Sequence, residues 1–187
     1  MFNNPNKNIY PYYGNIQYQG PNSGNMQMPP SNVWQQQYNP YTEKTMSNSQ
    51  NKLKDYGPNP FVVDIEEATK QNNNFRTVLW TGKHLQLTLM SINPGEDIGL
   101  ENHPNVDQFI RIEEGQGIVK MGDMKNMLDF QANVRDDFAI IIPAGKWHNI
   151  INTGNKPLKL YSIYAPPQHP FGTIHKTKED AEENHRY

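Results

Sequence analysis

Between residues 75 and 164 the chain is broken at short intervals by turn-forming residues, and this punctuation leaves little room for anything but strands. The breaks are Gly82-Lys83, Pro104-Asn105, Gly115-Gln116, Gly122-Asp123, Pro143-Ala144-Gly145 and Thr153-Gly154-Asn155, each rich in residues that favour tight turns. Between them apolar and polar residues alternate, as at Leu85, Leu87 and Leu89, which is the two-residue period of a half-buried strand. Strands are expected at residues 75–81, 84–92, 98–103, 107–114, 117–121, 127–134, 138–142, 147–152 and 158–164. Many short strands with no helical period between them imply an all-β sandwich or barrel.

The flanks read differently. Residues 1–57 are dominated by Asn, Gln, Tyr, Pro and Gly, with too few aliphatic side chains to offset the entropy of ordering. A disordered tail is expected, either a solvated leader or, through its interleaved aromatics and amides, an adhesive segment. A short helix is expected at residues 64–71, where Asp64 stands as the cap and Glu67 follows three positions later. The barrel domain is placed at residues 58–168 and a C-terminal extension at 169–187, where Thr177 would start a last exposed helical turn. No function is expected of that extension.

Composition removes several classes of chemistry. The formal net charge is −2 and there is no cysteine. Without a basic surplus, nucleic acid is not an expected partner; without thiols there is no disulfide, iron–sulfur cluster or cysteine zinc site. No stretch approaches the roughly 20 apolar residues that cross a bilayer, and the start lacks the pattern of a secretory signal. A cytoplasmic protein is the expectation, with no membrane partner. No Gly-x-Ser-x-Gly, Walker or His-Glu-x-x-His motif occurs, which removes common hydrolase, nucleotide and metalloprotease readings.

Polar residues with chemical potential gather between residues 94 and 152. Glu101 and His103 lie two apart, so a strand there would send both to one face. Gln108 is five residues on, and the turn at Pro104-Asn105 resets the parity so that it can join them. His148 follows the Pro143-x-Gly145 turn, at the start of a strand that could close the cluster from the other side. Trp147, Tyr161 and Tyr164 read as packing residues, and Gly115-x-Gly117 reads as a hairpin turn because no helix follows it. His84, His169, His175 and His185 fit no defensible spacing.

The spacing resembles the two sequence motifs of the cupin family. The first runs Gly, five residues, His-x-His, three or four residues, Glu, six residues, Gly; here it is Gly95, Glu101-x-His103, Gln108 and Gly115. The second runs Gly, five residues, Pro-x-Gly, two residues, His, three residues, Asn; here it is Pro143-x-Gly145, His148 and Asn152, with Asp137 in place of the opening Gly. The resemblance covers about residues 75–165 and implies a cupin β-barrel, a jelly roll or double-stranded β-helix. It also implies a metal site at Glu101, His103, Gln108 and His148, two of which differ from the family's usual ligands. Such a donor set suits a divalent ion: Mn, Fe or Zn.

Similarity to small single-domain bacterial cupins of the mannose-6-phosphate isomerase-like kind implies a sugar or sugar-phosphate isomerase or epimerase with a small-molecule substrate, in which Glu101 as catalytic residue, or a metal-bound hydroxide, would move a proton. The alternatives are an Fe(II)-dependent oxygenase and a non-catalytic structural or binding module. The tail is similar in style to spore-coat proteins, which makes the spore coat the alternative location. Barrels of this kind commonly pair through an edge strand, so a homodimer is expected.

Overall fold

The computed structural model describes residues 53–183; residues 1–52 of the expected tail, and His185, lie outside them. The chain enters through Leu53 and Tyr56, which pack on the outer face of the first strands with Phe61 and Val63. The last five residues of the expected tail are therefore part of the packed unit. Asp55 is the reason: its carboxylate accepts from the Gly57 and Thr81 backbone N–H groups, the Thr81 hydroxyl and the Gly172 N–H.

Helix α1 (Ile65–Gln71) is capped by Asp64, whose carboxylate accepts from the Glu67 N–H at 3.0 Å, as the sequence predicts. Strands β1 (Arg76–Thr81) and β2 (Gln86–Ile92) form the expected antiparallel hairpin. Then come β3 (Asp107–Glu114), β4 (Gln116–Gly122), β5 (Phe130–Arg135), β6 (Ala139–Ile142), β7 (Trp147–Asn152) and β8 (Leu158–Ala165). The chain closes with β9 (Ile174–His175) and α2 (Lys178–Glu183). Among the described residues no helix is long and apolar enough to cross a membrane.

The strands form two sheets, one ordered β6-β3-β8-β2-β1-β9 and the other β5-β4-β7. Their facing sides bury a continuous core that includes Met90, Ile92, Ile110, Ile112, Val119, Ile142, Ile150, Leu158 and Leu160. Each such side chain contributes about 1.5–3 kcal/mol when fully withdrawn from water, so this layer fixes the register of both sheets. A second cluster, centred on Leu79, Leu89 and Ala68, lies where the entering arm and α1 cover the outside of the larger sheet. Strand β1 is consequently buried at its first four positions instead of at alternate ones.

Two expectations change. No continuous strand forms at residues 98–103; isolated bridges join Asp97 to Ile151 and Glu101 to His148. Gly99 between them has φ 91°, and its N–H donates to the Asp97 carboxylate, a local turn that breaks the ladder. The strand expected at 127–134 starts later, at Phe130, because Met124 and Met127 pair with each other in a tight turn.

Asp137 occupies the place of the second motif's opening glycine, and among the described residues it is the non-glycine residue with positive φ, 70°. Aspartate tolerates this region better than branched residues do, and its carboxylate also accepts from Arg111 at 2.6 Å. Asp137→Val is expected to cost about 1–2 kcal/mol, whereas Asp137→Gly loses only the exposed ion pair. Denaturant titration of both variants checks this; equal losses would show that the backbone geometry is not the cause.

Candidate metal centre

Both motif loops are stitched to each other before any side chain is considered. Glu101 and His148 exchange two backbone hydrogen bonds, N–H to O at 3.0 and 2.9 Å, so they stand directly opposite and send their side chains to one face. The Gly145 N–H donates to the His103 carbonyl at 2.9 Å, and the Asn102 amide donates to the Gly145 carbonyl at 2.6 Å. From the other side the Ala144 N–H donates to the Asp107 carboxylate. Asn152, the last residue of the second motif, is buried and ties the Ile92 and Lys156 carbonyls to the Gly154 N–H. It holds the end of β7.

The result is that Glu101, His103 and His148 each present a donor atom, all within 4.8 Å of one another. His103 Nε2 lies 3.3 Å and His148 Nε2 3.9 Å from Glu101 Oε2. Neither imidazole nitrogen has a hydrogen-bond partner among the described residues, although both are buried. Buried polar atoms without partners are uncommon in a folded protein, and two of them converging on a carboxylate oxygen fit a cation in the gap.

The tautomer supports that fit. His148 Nδ1 lies 2.9 Å from the Lys146 carbonyl; a carbonyl only accepts, so Nδ1 carries the proton and Nε2 keeps its lone pair for a metal. Burial keeps this imidazole neutral by lowering its pKa. Burial alone would raise Glu101, but the neighbouring His103 imidazole and Arg76 guanidinium, with His148 beyond, outweigh it and hold the carboxyl at about 2.

Gln108 sits on β3, buried, opposite Ile142 of β6 and Tyr164 of β8. Its amide nitrogen donates to the Ser162 hydroxyl at 2.9 Å, leaving its carbonyl oxygen buried without a partner. The Tyr164 ring meets the His103 ring edge-on at 5.7 Å, which places Gln108 in the same interior. The parity argument for Glu101 and His103 does not hold in its original form, since no strand runs through them; the reciprocal bridge and the turn after it bring them together instead.

Two residues of the site were not foreseen. Arg76, 1 % exposed, donates to Glu101 Oε1 at 3.1 Å. His169 comes from the C-terminal extension and is clamped by Gln86, which accepts from its N–H and donates to its carbonyl. Its ring stands edge-on to Tyr164 at 5.1 Å and lines the cavity above the cluster. That cavity, about 570 Å³, is walled by Arg76, Glu101, His103 and Trp147 on one side and by Lys178 and Glu182 of α2 on the other. The extension thus shapes the site.

Burial pushes His169 down to about 3, helped by the Arg76 charge. The folded protein therefore refuses protons that the unfolded chain accepts below its ordinary value of 6.5, and stability falls as pH drops from there toward 3. Glu101, lowered from 4.5 to about 2, contributes stability that is complete above 4.5 and is lost as pH falls toward 2. His169→Gln is expected to flatten the first part of the acid limb and leave the second. Urea titrations at a series of pH values measure this; an unchanged slope between pH 6 and pH 4 would contradict it.

A small antiparallel double sheet with a His/Glu cluster between its motif loops defines a cupin, and the chain belongs to the cupin family. Residues 88–164 match the family model described as the cupin domain. The chain is similar to the uncharacterized protein YrkC of Bacillus subtilis (strain 168), 75% identical over 129 residues that span 69% of this chain and 69% of that one. It is 47% identical over 115 residues to an uncharacterized protein of Acanthamoeba polyphaga mimivirus, covering 61% of this chain and 70% of the viral one. A crystal structure of a Bacillus halodurans protein is 65% identical, with TM-score 0.69, covering 70% of this chain and 98% of the other.

Proposed function

We propose that this protein is a divalent-metal cupin enzyme of the isomerase or epimerase type, acting on a small hydroxy- or carbonyl-bearing substrate in the cavity above Glu101. The observation that carries the reading is the convergence of Glu101 Oε2, His103 Nε2 and His148 Nε2 within 4.8 Å, with both imidazole nitrogens buried and without a hydrogen-bond partner among the described residues. Glu101, His103 and His148 would hold the ion, with the Gln108 carbonyl as a fourth, weaker donor. Two imidazoles and a carboxylate suit Mn, Fe or Zn. When bound, such an ion supplies Lewis acidity toward a substrate oxygen.

The remaining work falls to this chain's own groups. Arg76 locks one oxygen of Glu101, and a carboxyl held at about 2 is a poor proton carrier near neutral pH. Glu101 is therefore a ligand in this reading, and the catalytic role expected from the sequence does not suit it. His169, neutral and lining the cavity, is placed to hydrogen-bond a substrate hydroxyl. Trp147 and Phe75 supply apolar wall that excludes water from one side of the guest.

The test is solvent exchange. Metal-loaded protein in D2O, offered a panel of aldose and ketose sugars and their phosphates, is expected to incorporate deuterium next to the carbonyl carbon, and the His103→Ala variant is not. Stoichiometric metal with no exchange across the panel would overturn the isomerase reading. The same donor set also serves Fe(II) oxygenases; iron as the resident metal with oxygen uptake would favour that chemistry.

A further inference from the structure

With a divalent ion at the cluster the charges around the cavity do not balance, and the imbalance selects a guest. Among the described residues Glu101 is the one carboxylate at the cluster, and the buried Arg76 guanidinium already pairs with it at 3.1 Å. A dication held there would keep most of its charge uncompensated by protein. At the wall, Lys178 is tied to Asp97 and lies 4.0 Å from Glu182. Lys125 differs: its Nζ stands 5.5 Å over the Trp147 ring, and among the described residues it has no ion pair. The nearby Asp123 carboxylate is taken by Lys146. Lys125 and Trp147 line the same cavity as Arg76 and Glu101.

We propose that the cavity selects small oxyanions, a hydroxycarboxylate or a phosphate monoester, and that Lys125 at the mouth is the specificity-determining cation for the anionic group. This rests on the reading that Glu101, His103 and His148 hold a divalent ion. The anion completes the charge that Arg76 denies to the metal, and a partly enclosed, protein-walled cavity strengthens that attraction relative to bulk water. A neutral sugar offers hydroxyls to the same groups and leaves the positive charge unbalanced. Trp147, covered on one face by Lys125, gives the carbon skeleton a flat apolar surface.

Calorimetric titration of the full-length, zinc-loaded protein with inorganic phosphate, glycolate and mannose tests the proposal. At least one anion is expected to bind roughly tenfold or more tighter than mannose, and which one identifies the oxyanion class. Lys125→Met is expected to weaken that anion by about two- to fivefold, the range for a solvent-exposed charge, and mannose by less, without changing zinc content. Lys125→Arg should restore it, and added salt should weaken binding to the wild type. Mannose binding as tightly as both anions, or an anion affinity indifferent to Lys125→Met, overturns the proposal while zinc stays bound. A protein that takes up no zinc overturns the metal reading, and this inference with it.

Discussion

His148→Ala is expected to lower divalent-metal affinity by more than about 100-fold, because disturbing even the partners behind a metal ligand costs 10- to 100-fold. The side chain is fully buried and contributes one of the two bare Nε2 atoms of the cluster. His103→Ala should behave the same way, and the exposed His84, on the β1–β2 turn, serves as the control whose replacement changes nothing. Competition with a chelating dye measures the affinities, and circular dichroism reports whether the barrel persists. A variant that stays folded and binds metal like the wild type would remove His148 from the site.

Arg76→Met is expected to move two quantities in opposite directions. Removing one partner of a buried ion pair costs about 3–5 kcal/mol. The lower end applies here, about 3 kcal/mol, because the Glu101 side chain keeps 18 % exposure through the cavity. Denaturant unfolding of the metal-free protein should show this loss, and adding Glu101→Gln to Arg76→Met should recover part of it. Metal affinity should rise in the Arg76→Met single variant, since Glu101 no longer shares its charge with a guanidinium. A variant both less stable and weaker for metal would show that Arg76 shapes the loop rather than balancing its charge.

Much of this was legible in the chain. Alternation and turn residues predict the strands because burial on one face of a sheet imposes a two-residue period, and the motif spacing locates Glu101, His103 and His148 because the turns that carry them need particular residues. Asp137 shows the principle from the other side: the position demands a left-handed backbone, and glycine is only one way to meet the demand. Residues 98–103 misled because their composition suits a strand, while Gly99 and the Asp97 carboxylate impose a turn.

Arg76 was hidden in an apolar run, Phe75 to Leu79, where a lone charge was itself the available signal. A buried cation needs an anion, and the anion lay 25 positions away. His169 had no local signal. It follows Pro166-Pro167 and is placed by the Gln86 clamp, 83 positions distant in sequence. Contacts of that range depend on the finished barrel, and so does β9, whose two residues are too short to show a period.

The metal content of the native full-length protein, measured by elemental mass spectrometry after expression in medium supplied with Mn, Fe and Zn, tests the central claim most directly. The account predicts close to one divalent ion per chain, absent from the His103→Ala/His148→Ala double variant. A folded wild-type protein that carries no ion under those conditions would contradict it.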